Sequence, residues 1–304
     1  MKREAFFQLV EIQTKVASVI PFLTGIAFTS YRYQEFDPMI IGVFFISLLC
    51  LDMATTAINN LMDLKVLEYG VSVKQAKTVI GVLLSVSMVT GLWLVYLTDI
   101  VVLLIGGIAF LVGALYSYGP LPISQTPFGE AFSGFFMGML IFFVTVYIQI
   151  YELGFFIFSY ADQHIYINIH IIEFLIIGLV SLPLILGIAN IMLANNTCDL
   201  AEDIKNKRHT LPYYIGKDNA VVLFEVLAYL SYLWIIVGVV IEVLPIITLL
   251  VLLTLYPVKK NVDAFKALQE KSKTFVCAVK NFVLISVAYF LTILLGIVVR
   301  IIID

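Results

Sequence analysis

The chain has 304 residues, of which 18 are basic and 21 acidic, giving a formal net charge of −3; 62% of the residues are apolar and 13% charged. Soluble domains carry about 45–50% apolar and about 25% charged residues, so a soluble single-core enzyme, a disordered chain, a disulfide scaffold and a nucleic-acid-binding protein are all disfavoured. The mean hydropathy of +1.05 instead predicts a protein that crosses a lipid bilayer several times.

Nine apolar stretches approach the length of about 20 residues that a helix needs to cross about 30 Å of hydrocarbon. In chain order the predicted spans are 12–31, 39–61, 78–98, 100–118, 131–151, 171–195, 220–241, 243–257 and 280–303. The eighth is short and follows the seventh through Glu242–Pro245. Because these stretches are too long for barrel strands, the predicted fold is an all-α integral membrane domain, 1–304, with nine transmembrane helices.

The basic residues predict the orientation of the chain. Sixteen of the 18 lie at loops or helix ends on one side: Lys2, Arg3, Lys15, Lys65, Lys74, Lys77, Lys205, Lys207, Arg208, Lys217, Lys259, Lys260, Lys266, Lys271, Lys273 and Lys280. Only Arg32 and Arg300 fall on the other side. By the positive-inside rule, the amino terminus is cytoplasmic and the carboxyl terminus external. His164 and His170 then belong to an external loop, where solvated side chains are expected.

Two similar polar motifs end the second and the sixth predicted spans. NNLMDL (59–64) and NNTCDL (195–200) lie 136 residues apart and share the pattern N-N-x-x-D-L. Such a repeat is typical of a duplicated structural unit, here a four-helix unit with halves at about 1–150 and 151–304. The symmetry predicts that both motifs face one central cavity.

Helical spacing places the polar residues of each motif on a common face. The first such face comprises Asp52, Thr56, Asn59 and Asp63; the second comprises Asn195, Asp199 and Glu202, overlapped by Asn196, Asp199 and Asp203. Charges at membrane depth cost about 2.5–3.5 kcal/mol each on insertion scales, so they usually face an interior or a wet cavity. For a single motif a hydrated helix end is an equal alternative, and for Asp52 interhelical hydrogen bonding is as plausible as catalysis.

The residue types at the motifs favour magnesium over zinc. Carboxylate and amide oxygens are magnesium ligands, and this ion is normally held by one or two carboxylates together with substrate phosphates. Lysine and arginine beside the acids indicate a phosphorylated ligand. A diphosphate at the cytoplasmic mouth, with its apolar tail among the helices, fits both the charged motif residues and the apolar majority of the chain. The reaction that uses such a site is ionisation of an allylic diphosphate, with Mg²⁺ and cations stabilising the leaving group.

Three segments carry a family resemblance. NNTCDLAEDIKNKRHTLPYYIG (195–216), YSYGPLPISQTPFGE (116–130) and PFLTGIAF (21–28) resemble motifs of the UbiA-type intramembrane aromatic prenyltransferases, and are most similar to the menaquinone-pathway branch. The resemblance implies a nine-helix bundle in the plasma membrane of a bacterium. It also implies Mg²⁺-dependent, decarboxylating transfer of a polyprenyl group from its diphosphate onto 1,4-dihydroxy-2-naphthoate, an aromatic acceptor, giving demethylmenaquinone.

The first motif departs from the family pattern. The family usually has aspartate where Asn60 stands and often another where Leu67 stands, with Glu68 one residue later. An arginine that usually opens the first span is missing, and Lys15 is the nearest cation.

The resemblance implies a role for each matching residue. Asp63, Asp199 and Asp203 would bind the metal, with Glu68 as a further candidate and Asn59 and Asn195 in support. Substrate-binding roles are implied for Lys15, Asn60, Lys65, Tyr116, Tyr118, Glu130, Asn196, Lys207 and Arg208. Of these, Arg208 and Lys65 would contact phosphate oxygens, while Tyr116 and Tyr118 would line the acceptor pocket or serve as interfacial anchors.

Two alternatives stay open at this point. The first is a UbiA-type transferase that acts on another aromatic acceptor, such as 4-hydroxybenzoate. The second is a secondary transporter, since repeats with intramembrane polar groups also characterise those folds. Transporter sites lie near mid-bilayer, whereas the motif acids cluster at helix ends beside lysine and arginine, which favours the enzyme.

Overall fold

The computed structural model describes residues 2–62, 64–117 and 122–303 of the chain. Its α-helices are α1 (Arg3–Leu9), α2 (Val16–Arg32), α3 (Pro38–Met62), α4 (Val73–Leu97), α5 (Ile100–Ser117), α6 (Gly129–Ser133), α7 (Ile141–Ile150), α8 (Ile171–Lys205), α9 (Leu211–Ile215), α10 (Lys217–Val240), α11 (Leu255–Ala267) and α12 (Phe275–Ile303). A π-helical stretch, Gly134–Leu140, joins α6 to α7. A 3₁₀ helix, Ile246–Thr254, leads into α11.

Seven helical segments of the described residues are long and apolar enough to cross a membrane. They are Ile12–Arg32, Pro38–Met62, Val73–Leu97, Gly129–Leu153, Ile171–Lys205, Lys217–Val240 and Phe275–Ile302. Each overlaps one predicted span, which supports the integral membrane character of the chain. The predicted fourth span corresponds to α5, whose apolar part, Ile100–Gly113, is shorter.

The predicted eighth span, 243–257, is not a single α-helix. Its first part is the 3₁₀ helix Ile246–Thr254, and a 3₁₀ helix rises about 2.0 Å per residue. The nine residues therefore cover about 18 Å, as far as about twelve residues of α-helix. Pro245 packs closely on α12, where a Cβ at Gly296 would lie 2.4 Å from the proline Cγ. The stretched geometry lets a short segment extend far along its neighbours.

The predicted external loop contains a β-hairpin that was not predicted, while His164 and His170 are exposed, as expected. Strands β1 (Phe156–Ala161) and β2 (His164–Ile169) pair antiparallel across Asp162-Gln163, both with positive φ, as a two-residue hairpin turn requires. The sequence signal was alternation: one face collects the apolar side chains Phe156, Phe158, Tyr160, Ile165, Ile167 and Ile169. His164 begins β2 and His170 caps α8.

Close helix packing positions α7 and α8 beside α2. A Cβ at Gly25 of α2 would lie 2.8 Å from the Thr145 Cβ of α7, and a Cβ at Gly138 would lie 2.7 Å from backbone atoms of Ile185 on α8. Only a glycine lets the backbones approach this closely. These contacts place α7 against α2 and the π-helical stretch before it against α8.

An ion pair joins α2 to α8 at the hairpin end. The Arg32 Nη2 donates to Glu173 Oε1 at 2.9 Å, and the Tyr33 hydroxyl donates to Glu173 Oε2 at 2.6 Å. Burial raises the pKa of the Tyr33 phenol, so this side chain stays protonated and continues to donate. The pair lies at the end of the bundle opposite the two polar motifs and holds the helices together there.

Candidate active site

A cavity of about 960 Å³ runs between the helices. Its walls come from α2, α3, α4, α5, α8 and the segment from Phe132 to Val144. On α3 alone, lining residues extend from Phe44 to Asn60, which corresponds to about 24 Å along the helix axis. The polar lining groups concentrate at the motif end, and most of the remaining lining is aliphatic or aromatic. Such a cavity suits a molecule with a polar head and a long apolar tail.

The first motif contributes to this cavity through Asn59. Its neighbour Asn60 also lines the wall, but its amide Nδ2 donates to the Leu9 carbonyl at 3.0 Å and the side chain is buried. Asn60 therefore fastens the end of α1 to α3. Asp63, the acid of this motif, lies outside the described residues.

The residues after the first motif separate into two environments. Leu64 adopts a left-handed backbone and turns the chain, which brings Lys65 to the cavity wall. Glu68 is exposed and is not among the described residues that line the cavity. Of these two residues, Lys65 alone borders the cavity in the described part of the chain.

The second motif reaches the same cavity through Asn195. One turn later Asp199 forms an ion pair with Lys271, from the loop between α11 and α12. After another turn Asp203 is buried, and its carboxylate accepts from the Thr210 hydroxyl at 3.4 Å. Asn59 and Asn195 therefore face one cavity, as the repeat predicted, and the acids of α8 continue from it toward the helix end.

Of the basic residues after α8, Arg208 lies beside Asp203. The Arg208 backbone N–H donates to the Asp203 carbonyl at 2.8 Å, and the guanidinium is near enough to interact electrostatically with the Asp203 carboxylate. Lys207 adopts a left-handed backbone and is exposed. This turn therefore places the Arg208 cation near an acid of the second motif, an arrangement that suits a phosphorylated ligand.

Glu130 and Asn196 form a buried pair between α6 and α8. The Asn196 Nδ2 donates to Glu130 Oε1 at 2.8 Å, whereas Glu130 Oε2 has no hydrogen-bond partner among the described residues. The pair fixes the start of α6 against the second motif, so Glu130 acts on the motif through Asn196. Tyr116 is in the last turn of α5, but its side chain and the whole of Tyr118 lie outside the part of the chain that is described.

Lys15 makes an ion pair within the bundle. Its ammonium donates to Asp52 Oδ1 at 2.7 Å and to the Thr56 hydroxyl at 2.6 Å, while the Ser18 hydroxyl donates to Asp52 Oδ2 at 2.6 Å. Asp52, Ser18 and Thr56 line the cavity, and Lys15 lies behind them. Of the two interpretations of Asp52, interhelical bonding is therefore present, although the carboxylate also borders the cavity.

Two of these partners could not be identified from the sequence. Lys271 sits in a basic loop of the kind that the positive-inside rule predicts, and 72 residues separate it from Asp199. Ser18 is an ordinary serine in an apolar span. Only the three-dimensional packing assigns them to the site.

The side chains of the two motifs supply the kind of ligands that a magnesium ion needs. The described residues contain no group of three or more histidine, cysteine, aspartate or glutamate side chains that could hold a metal by themselves. Magnesium does not require such a cage, because it keeps several waters and shares carboxylates with substrate phosphates. Asp199, Asp203, Asn59 and Asn195 supply only oxygen and amide groups, which fits magnesium and not zinc.

The sequence was also compared with known proteins. A sequence model of the UbiA prenyltransferase family matches residues 68–276, more than two thirds of the chain. The chain belongs to this family. The membership confirms the predicted enzyme class, a prenyltransferase, and decides against the transporter alternative.

Individual relatives agree with this assignment. The chain is 28% identical over 250 residues to the 1,4-dihydroxy-2-naphthoate octaprenyltransferase of Bacillus subtilis (strain 168), covering 77% of this chain and 73% of that one. This similarity supports the menaquinone-pathway branch that the motifs resemble.

Solved UbiA homologues share the fold. One from Aeropyrum pernix K1 has a TM-score of 0.63 at 16% identity, covering 93% of this chain and 98% of that one. One from Archaeoglobus fulgidus bound to GPP and Mg²⁺ has a TM-score of 0.58 at 12% identity, with 97% and 99% covered.

Proposed function

We propose that this UbiA-family enzyme transfers a polyprenyl group from its diphosphate onto 1,4-dihydroxy-2-naphthoate, with decarboxylation, to give demethylmenaquinone. The observation that carries the proposal is the long apolar cavity whose polar end holds Asn59, Lys65 and Asn195. The similarity to the octaprenyltransferase of Bacillus subtilis supports this acceptor over 4-hydroxybenzoate.

The proposal includes the arrangement of the chain in its membrane. Nine spans, counting α5 and the 3₁₀ helix with the start of α11, would place the amino terminus in the cytoplasm and the carboxyl terminus outside a bacterial plasma membrane. The basic residues that accompany both motifs support this orientation. The matched motifs support a single domain with two halves, about 1–150 and 151–304.

Asp63, Asp199 and Asp203 would hold magnesium together with the donor diphosphate. When bound, the metal would neutralise charge that develops on the leaving diphosphate. Arg208, Lys207 and Lys65 would contact phosphate oxygens, and Lys271 is near enough to join them through its pair with Asp199. Asn59 and Asn195 would orient the head group at the cavity mouth, while the apolar walls exclude water from the reacting carbon.

The test uses the purified protein in nanodiscs with Mg²⁺, 1,4-dihydroxy-2-naphthoate and diphosphates of several prenyl lengths. We expect mass spectrometry to detect the decarboxylated, prenylated product together with released diphosphate, and chelation by EDTA to stop both. Release of diphosphate and prenylated product with 4-hydroxybenzoate, but not with the naphthoate, would overturn the proposed acceptor.

Variants test the role of the second motif. Asp199→Ala should reduce turnover at least 100-fold without changing the thermal unfolding midpoint, since a partly exposed ion pair contributes only about 0–1 kcal/mol to stability. Asp263→Ala is the matched control, because Asp263 pairs with Lys259 on α11 and does not line the cavity. Turnover of the Asp199 variant close to that of the control would contradict the assignment.

A further inference from the structure

The Lys15–Asp52 pair presents a carboxylate, and not a cation, to the cavity. Lys15 is 4% exposed, and its ammonium donates to Asp52 Oδ1, the Asp52 carbonyl and the Thr56 hydroxyl. These three contacts use all three donors of an ammonium group. Lys15 therefore has no donor left for a substrate carboxylate or phosphate, in contrast to the role that the family resemblance implied for it.

Asp52 keeps capacity to accept hydrogen bonds. Its Oδ1 accepts from Lys15 and its Oδ2 from Ser18, but a carboxylate offers about four lone-pair sites. Its side chain is 15% exposed, and the residue lines the cavity. The paired lysine places a positive charge beside this carboxylate. The wall at Asp52 therefore favours a ligand group that donates a hydrogen bond.

The position of Asp52 suits a second substrate. It precedes Asn59 by seven residues, or about 10 Å along α3, so it lies just deeper than the mouth where the donor diphosphate is proposed to bind. The other lining acid of the described chain, Glu11, lies before α2. Ser47 and Ser87 also line the cavity but are hydrogen-bonded to each other's backbones about 18 Å from Asn59.

The packing of α2 on α3 does not by itself require an ion pair. Buried ion pairs replaced by apolar side chains of similar volume often leave stability unchanged or increase it. An ion pair on the cavity wall, with its carboxylate toward the cavity, offers a ligand a hydrogen-bond acceptor, which an apolar contact could not provide.

We infer that Asp52 binds a hydroxyl group of the aromatic acceptor, and that Lys15, Ser18 and Thr56 hold it in place. The inference rests on the proposed function, because it names the part of the cavity where that acceptor would sit. A hydrogen bond from the acceptor hydroxyl to this carboxylate orients the ring beside the donor carbon and increases electron density on the ring. The contact would also discriminate between acceptors, because an acceptor with a methoxy group at that position has no hydrogen to donate to Asp52.

The experiment pairs protein variants with acceptor analogues. Steady-state kinetics of the protein in nanodiscs are measured with 1,4-dihydroxy-2-naphthoate and with its 1-methoxy and 4-methoxy derivatives, each varied at saturating donor. For the wild type we expect one methyl ether to raise the acceptor KM about 10- to 100-fold, the loss typical of a hydrogen bond to a charged group. Asp52→Asn should raise the KM for the dihydroxy acceptor by a similar factor and leave the donor KM unchanged. In this variant the methyl ether and the dihydroxy acceptor should then have nearly the same KM.

Two further variants separate binding from folding. Asp52→Asn alone leaves the buried Lys15 ammonium without its counter-ion. The double variant Lys15→Gln with Asp52→Asn removes both charges, so it replaces the single variant in the kinetic test if the single variant does not fold. Glu173→Gln breaks the Arg32–Glu173 pair, of similar length but outside the cavity, and should lower the unfolding midpoint without changing the acceptor KM.

The outcomes are distinct. No prenylated naphthoate from the wild type would overturn the proposed function and this inference with it. Normal transfer by the wild type, with equal methyl-ether penalties in the wild type and in the folded Asp52 variants, would overturn the inference alone.

Discussion

The Asn196 Nδ2 lies 2.8 Å from Glu130 Oε1, and both side chains are buried between α6 and α8. Within the part of the chain that the structure describes, the second oxygen of Glu130 has no hydrogen-bond partner. A buried carboxyl group with a single hydrogen bond depends strongly on that bond, because removing it leaves the whole group unpaired. Asn196 also directly follows Asn195, the residue of this motif that lines the cavity, so the pair connects the stability of α6 to the site.

Asn196→Ala should therefore destabilise the protein by about 1–3 kcal/mol, the usual cost of a buried polar group left without its partner. The thermal unfolding midpoint in detergent measures this effect. Asn219→Ala is the matched control, because the Asn219 amide makes an exposed bond to the Ile215 carbonyl and should change the midpoint little. Equal midpoints for the two variants would show that the Glu130 contact contributes no stability.

Asn60→Asp restores the acid that the family usually has at this position, yet we expect it to be harmful. The Asn60 amide donates to the Leu9 carbonyl in a buried site, and an ionised carboxylate cannot donate. The variant would lose this bond and bring a negative charge beside a carbonyl oxygen. We expect a lower unfolding midpoint and no increase in turnover at limiting Mg²⁺. Higher turnover at low Mg²⁺ would mean that the new acid binds the metal instead.

Lys271→Ala should raise the KM for the prenyl diphosphate about 3- to 10-fold, because the cation beside Asp199 would no longer attract phosphate oxygens. The unfolding midpoint should stay the same, since the lysine is largely exposed and such pairs contribute little stability. Lys259→Ala, which removes a lysine from another exposed ion pair, provides the comparison. An unchanged donor KM in the Lys271 variant would exclude it from diphosphate binding.

The features that could be predicted from the sequence are those that depend on residues near one another in the chain or on a repeated motif. Seven spans could be predicted from the length of apolar stretches, and the common cavity of Asn59 and Asn195 followed from a repeat in the chain. The Lys15–Asp52 contact could not, although both residues stood out, because it depends on how α2 and α3 are aligned. The same holds for Lys271 and Asp199, which packing of distant segments brings together. The hairpin was not predicted, although it had a local signal, the alternation of apolar residues over 156–169.

Close packing of α8 against the π-helical stretch supplies the last prediction. A Cβ at Gly138 would lie 2.7 Å from the backbone of Ile185, whereas nothing lies within 4 Å of a Cβ at Gly42 on α3. Gly138→Ala must push the two backbones apart, so we expect a loss of about 1–3 kcal/mol and a lower unfolding midpoint. Gly42→Ala should be neutral or slightly stabilising, because alanine favours helix by about 1 kcal/mol over glycine.

Turnover should fall in the Gly138 variant alone, since Asn195 and the adjoining Phe136 and Met137 line the same cavity. Equal midpoints in the two variants would contradict the tight contact between these segments.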